Sequence, residues 1–288
     1  MNPGYATATA FRQALERRLM NTARGEAVDV QRLRRQVSFD RLLCRLFHAP
    51  LSPWLLKGGY AMELRVAEGR TTRDVDLALR SPLGGGDRLP NRILLALQDA
   101  AAIDLGDFFS YAVGSAVQDL AGAPYGGARF PVEARMDGRT FAKFHVDVGA
   151  GDVVLDPADE VRGRDWLGFA GLATRGFPAI SKEQQFAEKT HAYTLPRGDV
   201  ANSRVRDMVD MYLLVTLGLN RAATLAALVA TFARRAVQPL GNALPAPSKD
   251  WKIPFAALAA ECHLAVDLDT AFAAVAEFYA SLRIGGAA

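Results

Sequence analysis

The amino-acid sequence predicts an α/β chain of the α+β kind, with helices first, a stranded core in the middle and a helical C-terminal region. Three observations carry that prediction. Apolar residues recur at helical spacing through the first fifty positions: Phe11, Leu15 and Leu19, then Leu33, Val37, Leu43 and Phe47. Polar and apolar residues alternate with a period of two in "DVDLALR" (74–80) and "FAKFHVDVG" (141–149), the pattern of strands. After Pro178 helical spacing returns and runs to the end of the chain.

Taken in order, residues 10–24 and 29–48 read as amphipathic helices. From Trp54 a short apolar run reaches Leu56, Gly58 and Gly59 turn the chain, and a short helix continues through Val66. The "DVDLALR" strand follows, then a helix over 88–103. Segments 108–115 ("FFSYAVGS"), 128–137 ("ARFPVEARMD") and 141–149 read as strands, and Asp137-Gly138 marks a hairpin between the last two. Ser181 and Gln184 have capping-box spacing at the start of "SKEQQFAEKTHAYTL". The later helices are interrupted by "QPLGNALPAPSKDWKIP". This pattern divides the chain into residues 1–177, the stranded domain with its N-terminal helices, and 178–288, a helical domain.

The chain has 288 residues, half of them apolar, which is enough for a sizeable core. Arg12, Glu16, Arg17 and Arg18 interrupt the first twenty residues, so no secretory signal is expected. The longest apolar stretch, "AATLAALVATFA" (222–233), is too short to cross a bilayer and reads as a core helix. A cytoplasmic protein without a membrane partner is the expectation. Cys44 and Cys262 lack metal-ligand spacing and read as buried free thiols. Net charge is only +3, yet residues 1–50 hold nine arginines against four acids. That local excess suits either contact with phosphate backbones or two solvated helix faces.

Alternation in the strand puts Asp74 and Asp76 on one face, about 7 Å apart. In "FAKFHVDVG" it puts Lys143, His145 and Asp147 opposite Phe144, Val146 and Val148. Three carboxylates converging from two strands would repel one another unless a cation sat among them, and hard oxygen donors suit Mg²⁺ or Mn²⁺. Gly58 and Gly59 allow backbone amides to approach a phosphate at a helix start, and Lys57 adds a compact charge for a triphosphate. An edge strand with a solvated polar face is the competing reading of Asp74 and Asp76.

Four segments in order, "LKGGYAMELR" with "RTTRDVDLAL", "FHVDVGAGD", "FAEKTHAY" and "NSRVRDMVDMYLL", resemble the AbiEii-type nucleotidyltransferase toxins of type IV toxin–antitoxin systems, MenT-like proteins within the DNA polymerase β-like superfamily. The resemblance implies a polymerase β-like core with a mixed sheet. It implies that Asp74, Asp76 and Asp147 hold catalytic metal, with Asp147 the base for an incoming hydroxyl. Lys57, Gly58, Gly59, Thr72 and Lys189 would meet the nucleotide, and Asp207 would be the essential C-terminal acid, orienting Lys189 or the acceptor. Core-facing Phe186, Thr190, Tyr193, Met208, Met211 and Val215 would leave Lys189 and Asp207 free to border a cleft. Thr72 either binds a phosphate or caps the strand, and His145 either touches a phosphate or is structural. The implied activity transfers NMP from a nucleoside triphosphate (ATP, CTP, GTP or UTP) to RNA, chiefly the 3′ end of tRNA, and so blocks translation. An antitoxin protein is the implied partner. Nucleotidylation or phosphorylation of a protein, and non-catalytic nucleotide or RNA binding, are the alternatives.

Overall fold

The structure, a computed structural model, describes residues 4–66, 69–84, 86, 88–120, 122–198 and 202–282. They group into two compact units. The first comprises the described residues of Met1–Leu64, Thr71–Gly151 and Glu160–Ala179, and the second those of Arg65–Arg70, Asp152–Asp159 and Ile180–Ala288.

The first unit opens with α1 (Ala8–Glu26) and α2 (Val30–Leu46). Both start where a side chain replaces a missing helical acceptor: Thr7 accepts from the Ala10 amide at 3.2 Å and Asp29 from the Gln31 amide at 3.0 Å. The strands and helices that follow are β1 (Trp54–Lys57), α3 (Gly58–Arg65), β2 (Asp74–Leu79), α4 (Leu89–Ala101), β3 (Phe109–Val113), β4 (Gln118–Asp119), β5 (Gly127–Met136), β6 (Arg139–Gly149), β7 (Asp159–Arg162) and β8 (Gly176–Ala179). The sheet runs β3-β5-β6-β2-β1-β8-β7, with β4 also on β5. It is mixed, because β2 lies antiparallel to β1 but parallel to β6, and β1 parallel to β8. Pairing on both sides of β2 removes the edge-strand reading of Asp74 and Asp76. Val75, Leu77, Phe130, Val146 and Val148 bury the other face with Phe39 of α2. The short β7 and β8 have no counterpart among the predicted strands, since four residues, one of them Pro178, give no period to read.

The β5–β6 hairpin is tighter than predicted. Met136 pairs directly with Arg139, and Asp137 and Gly138 both take positive φ (54° and 67°), as a two-residue turn of mirror-image type requires. Just past the second pair from the turn the register slips: Arg135 pairs with Thr140 but Ala134 with Ala142, so Phe141 bulges. Helix α1 braces this place. Arg12 donates to the carbonyls of Met136 (2.7 Å) and Thr140 (3.1 Å), and Thr9 donates to Asp137 at 2.9 Å.

Five of the nine N-terminal arginines serve the fold itself. Arg41 and Arg45 are buried and both bind Asp107 at 2.7 Å; Arg32 binds Glu63 (2.8 Å), Arg34 binds Glu16 (2.6 Å), and Arg12 braces the hairpin. For these five, neither phosphate contact nor a solvated face holds. Isolated buried guanidiniums are prohibitively costly, so carboxylates from elsewhere in the fold follow them inside.

The second unit packs α5 (Lys182–Thr194), α6 (Val205–Thr216), α7 (Arg221–Arg235), α8 (Lys252–Glu261) and α9 (Leu268–Ser281) around Phe186, Tyr193, Met208, Met211, Leu228, Phe255 and Val275. Ser181 caps α5 by accepting from the Gln184 amide at 3.1 Å. Gln184 does not return the bond as a capping box would. Its amide nitrogen donates to the Val153 carbonyl and its oxygen accepts from the Leu155 amide, tying 152–159 to this unit. Both cysteines are buried and free. Among the described residues no helix is long and apolar enough to cross a membrane.

Candidate active site

Strand register builds the site in the first unit. Reading across the sheet, Lys57 of β1 stands beside Asp76 of β2, Asp76 beside Asp147 of β6, and Asp147 beside Arg129 of β5. Laterally paired residues share a face, so two acids are flanked by two cations in one row. Asp74, two residues along, pairs with His145, whose Nδ1 lies 3.3 Å from its Oδ1. Asp74 and Asp76 are half-buried and Asp147 is 9% exposed.

Each acid already has a donor. Arg129 grips Asp147 with both prongs, Nε to Oδ1 at 2.8 Å and Nη2 to Oδ2 at 2.7 Å, and Nη2 also reaches Asp74 Oδ2 at 3.5 Å. These carboxylates hold the Arg129 pKa above its ordinary value, with the Asp147 hydrogen bonds the largest cause. The Gly59 amide donates to Asp76 Oδ2 at 3.2 Å, so in this state it faces the carboxylate. Thr72 donates to the Asp74 carbonyl at 3.3 Å.

Gly58, first residue of α3, must be glycine on two counts. Its φ is +65°, and a Cβ there would lie 2.0 Å from Asp76 Oδ2. Gly58→Ala is therefore expected to lower stability by about 1–2 kcal/mol and to cut catalytic turnover about tenfold by pushing Asp76 aside, read from thermal melts and initial rates.

The donor set fits a hard divalent cation: three carboxylates, two in lateral register and the third on the same face. Among the described residues, however, no three His, Cys, Asp or Glu side chains are drawn together to hold an ion as they stand. The Arg129 fork occupies Asp147 and leans on Asp74 instead. An open groove of about 910 Å³ reaches Asp74, its lining carrying Asp29 and Glu133 as well as Arg35, Arg73, Arg129 and Lys143.

In the second unit Lys189 is buried, not free at a cleft edge. Its Nζ lies 2.5 Å from Asp210 Oδ2 and 3.3 Å from Asp207 Oδ1. Asp210 is fully buried and also takes a two-pronged bond from Arg70, at 3.0 and 2.8 Å. Burial alone would push Asp210 up, but Lys189 and Arg70 overcome it and hold its pKa below the usual carboxylate range. Burial likewise opposes charge on Lys189, yet Asp210 and Asp207 raise its pKa. Asp207, also buried, takes a further 3.5 Å contact from Arg204.

The sequence reading missed Arg129, Asp210 and Arg70. Asp210 had a signal, since it lies three residues from Asp207 on the same helical face. Arg129 and Arg70 had none beyond being arginines in a strand and a loop.

A comparison with curated proteins gives no match. Among solved structures the chain is similar to MenT4, a nucleotidyltransferase toxin from Mycobacterium tuberculosis, at 14% identity and TM-score 0.56, covering 93% of this chain and 98% of that one. It is also similar to JHP933 from Helicobacter pylori, at 12% identity and TM-score 0.49, covering 89% and 93%. The family model described as nucleotidyl transferase AbiEii toxin, type IV toxin–antitoxin system, matches residues 41–277. With that match spanning both units, the chain belongs to the AbiEii family of nucleotidyltransferase toxins.

Proposed function

We propose that this nucleotidyltransferase moves an NMP group from a nucleoside triphosphate to the 3′ hydroxyl of an RNA, with tRNA as acceptor, and thereby stops translation. One observation carries the reading: Asp76 and Asp147 in lateral register on neighbouring parallel strands, with Asp74 on the same face and the Gly58-Gly59 start of α3 beside them. Phosphoryl transfer needs negative charge neutralised and two oxygens aligned, and clustered carboxylates next to a glycine-started helix suit that task.

A divalent cation such as Mg²⁺ or Mn²⁺, held by Asp74, Asp76 and Asp147, would neutralise the triphosphate and polarise the α-phosphoryl group. The chain's own residues do the rest. Lys57, beside Asp76 in the row, places a compact positive charge where triphosphate oxygens gather. Asp147 takes the proton of the attacking hydroxyl, the 3′ oxygen bonds to the α-phosphorus, and pyrophosphate leaves. Arg35, Arg73 and Lys143 along the groove suit an RNA backbone. Lys189 is assigned to the nucleotide and Asp207 to its orientation, Asp210 sharing that work through its shorter contact. A type IV toxin acts in the cytoplasm with a separately encoded antitoxin, which completes the set of partners.

The test is to incubate the protein with Mg²⁺, total RNA and each of the four triphosphates, labelled at the α or the γ position, and then to sequence RNA 3′ ends. The expected result is α label on tRNA-sized RNA with extended 3′ ends. Movement of γ label would make the protein a phosphotransferase instead, and α label on protein would replace the RNA acceptor.

A further inference from the structure

The acids assigned to metal are not empty-handed in the free protein, and what holds them is an arginine set by strand register. Arg129 stands directly opposite Asp147 in the antiparallel β5–β6 pair, so the two side chains share a face by construction. Both Asp147 oxygens receive its N–H groups, at 2.8 and 2.7 Å, and the same guanidinium reaches Asp74 at 3.5 Å. Guanidinium and carboxylate are planar groups of matching span, so this fork-on-fork contact is stronger and more directional than a lysine would give. It offsets part of the negative charge that three neighbouring acids bring together.

We infer that Arg129 is a built-in counter-cation: in the free protein it occupies carboxylates that the metal uses, and metal binds only as Arg129 lets go. The inference rests on the reading of Asp74, Asp76 and Asp147 as the metal site. A divalent ion and a guanidinium cannot both sit against Asp147 and Asp74 without mutual repulsion, so each weakens the other. Arg129 also lines the groove, where a phosphate-bearing ligand offers the released guanidinium a new anionic partner. Metal therefore binds more tightly with a triphosphate than alone, and the triphosphate more tightly with metal, a coupling of one sign in both directions.

The experiment titrates Mn²⁺ into the nucleotide-free, full-length protein and follows free Mn²⁺ by electron paramagnetic resonance, with circular dichroism checking the fold of each variant. Arg129→Met is expected to bind Mn²⁺ about tenfold more tightly than the parent, the factor that loss of one charge-assisted contact corresponds to. Arg129→Lys, which keeps the charge but not the fork, is expected to fall between them, and it carries the test alone if the methionine variant does not fold. Asp76→Asn serves as the reference and should weaken Mn²⁺ binding in every background. Equal or weaker binding by the folded Arg129 variants, with Asp76→Asn still harmful, overturns the counter-cation and leaves the metal site standing. Mn²⁺ binding indifferent to Asp76→Asn removes the metal site, and the inference with it.

Discussion

Asp76→Ala is expected to lower nucleotide transfer by about 10³-fold or more while shifting the melting temperature little. The residue sits mid-row between Lys57 and Asp147, so its loss removes a carboxylate from the centre of the row. It is half-buried, and its removal relieves repulsion from Asp147, so the fold loses little. Initial rates with labelled triphosphate measure the first effect, and growth after induced expression measures its consequence. A variant as toxic as the parent would sink the catalytic reading, whatever the acceptor.

The largest effect on stability is expected at Asp210. Asp210→Ala strands Lys189 and Arg70 together in the second unit, two cations that now share no acid, and should cost about 3–5 kcal/mol. Asp207→Ala should cost less, because Lys189 keeps its 2.5 Å partner. The pH dependence gives a second check. Asp210 has a folded pKa below its ordinary 3.8. Its contribution is therefore complete above that value and is lost as pH falls through the lower folded one. Urea unfolding followed from pH 7 down to about pH 2 should show the parent losing stability below the ordinary carboxylate range more steeply than Asp210→Ala, which keeps the slope of other carboxylates held low, such as Asp107. Identical acid slopes would mean that Asp210 is held no lower in the folded chain than in the unfolded one.

Much of this was legible beforehand because it is local. Alternation around Val75 and Val146 placed the acids on one face, and Asp137-Gly138 placed the hairpin. The partner of Asp147 was not legible, and the reason is one residue. Counting back from the Met136–Arg139 pair without interruption sets Arg129 opposite Val146, on the buried face. The bulge at Phe141 advances the count by one and brings it to Asp147. No pattern in "RTFAKF" announces a bulge except that Phe141 and Ala142 are both apolar where alternation wants one. The Lys189 cluster was half legible: Phe186 and Met208 face the core as expected, but their helices pack closely enough to carry Lys189 and Asp207 inside with them. Arg41 and Arg45 are a similar case, four residues apart on one face of α2, with a partner, Asp107, sixty-two residues beyond Arg45.

The row Lys57, Asp76, Asp147, Arg129 has a meaning at long range as well as at contact. Plus, minus, minus, plus sums to zero, Asp74 on the same face adds one further negative charge, and beyond a Debye length of about 8 Å in physiological salt little of it is felt. A polyanion drifting toward the groove therefore meets a weaker repulsive field than three bare carboxylates would project. Beside the row the groove carries Arg35, Arg73 and Lys143 against Asp29 and Glu133. Acids kept for metal would repel a nucleic-acid backbone, and a palindrome of charge across four strands would moderate that conflict.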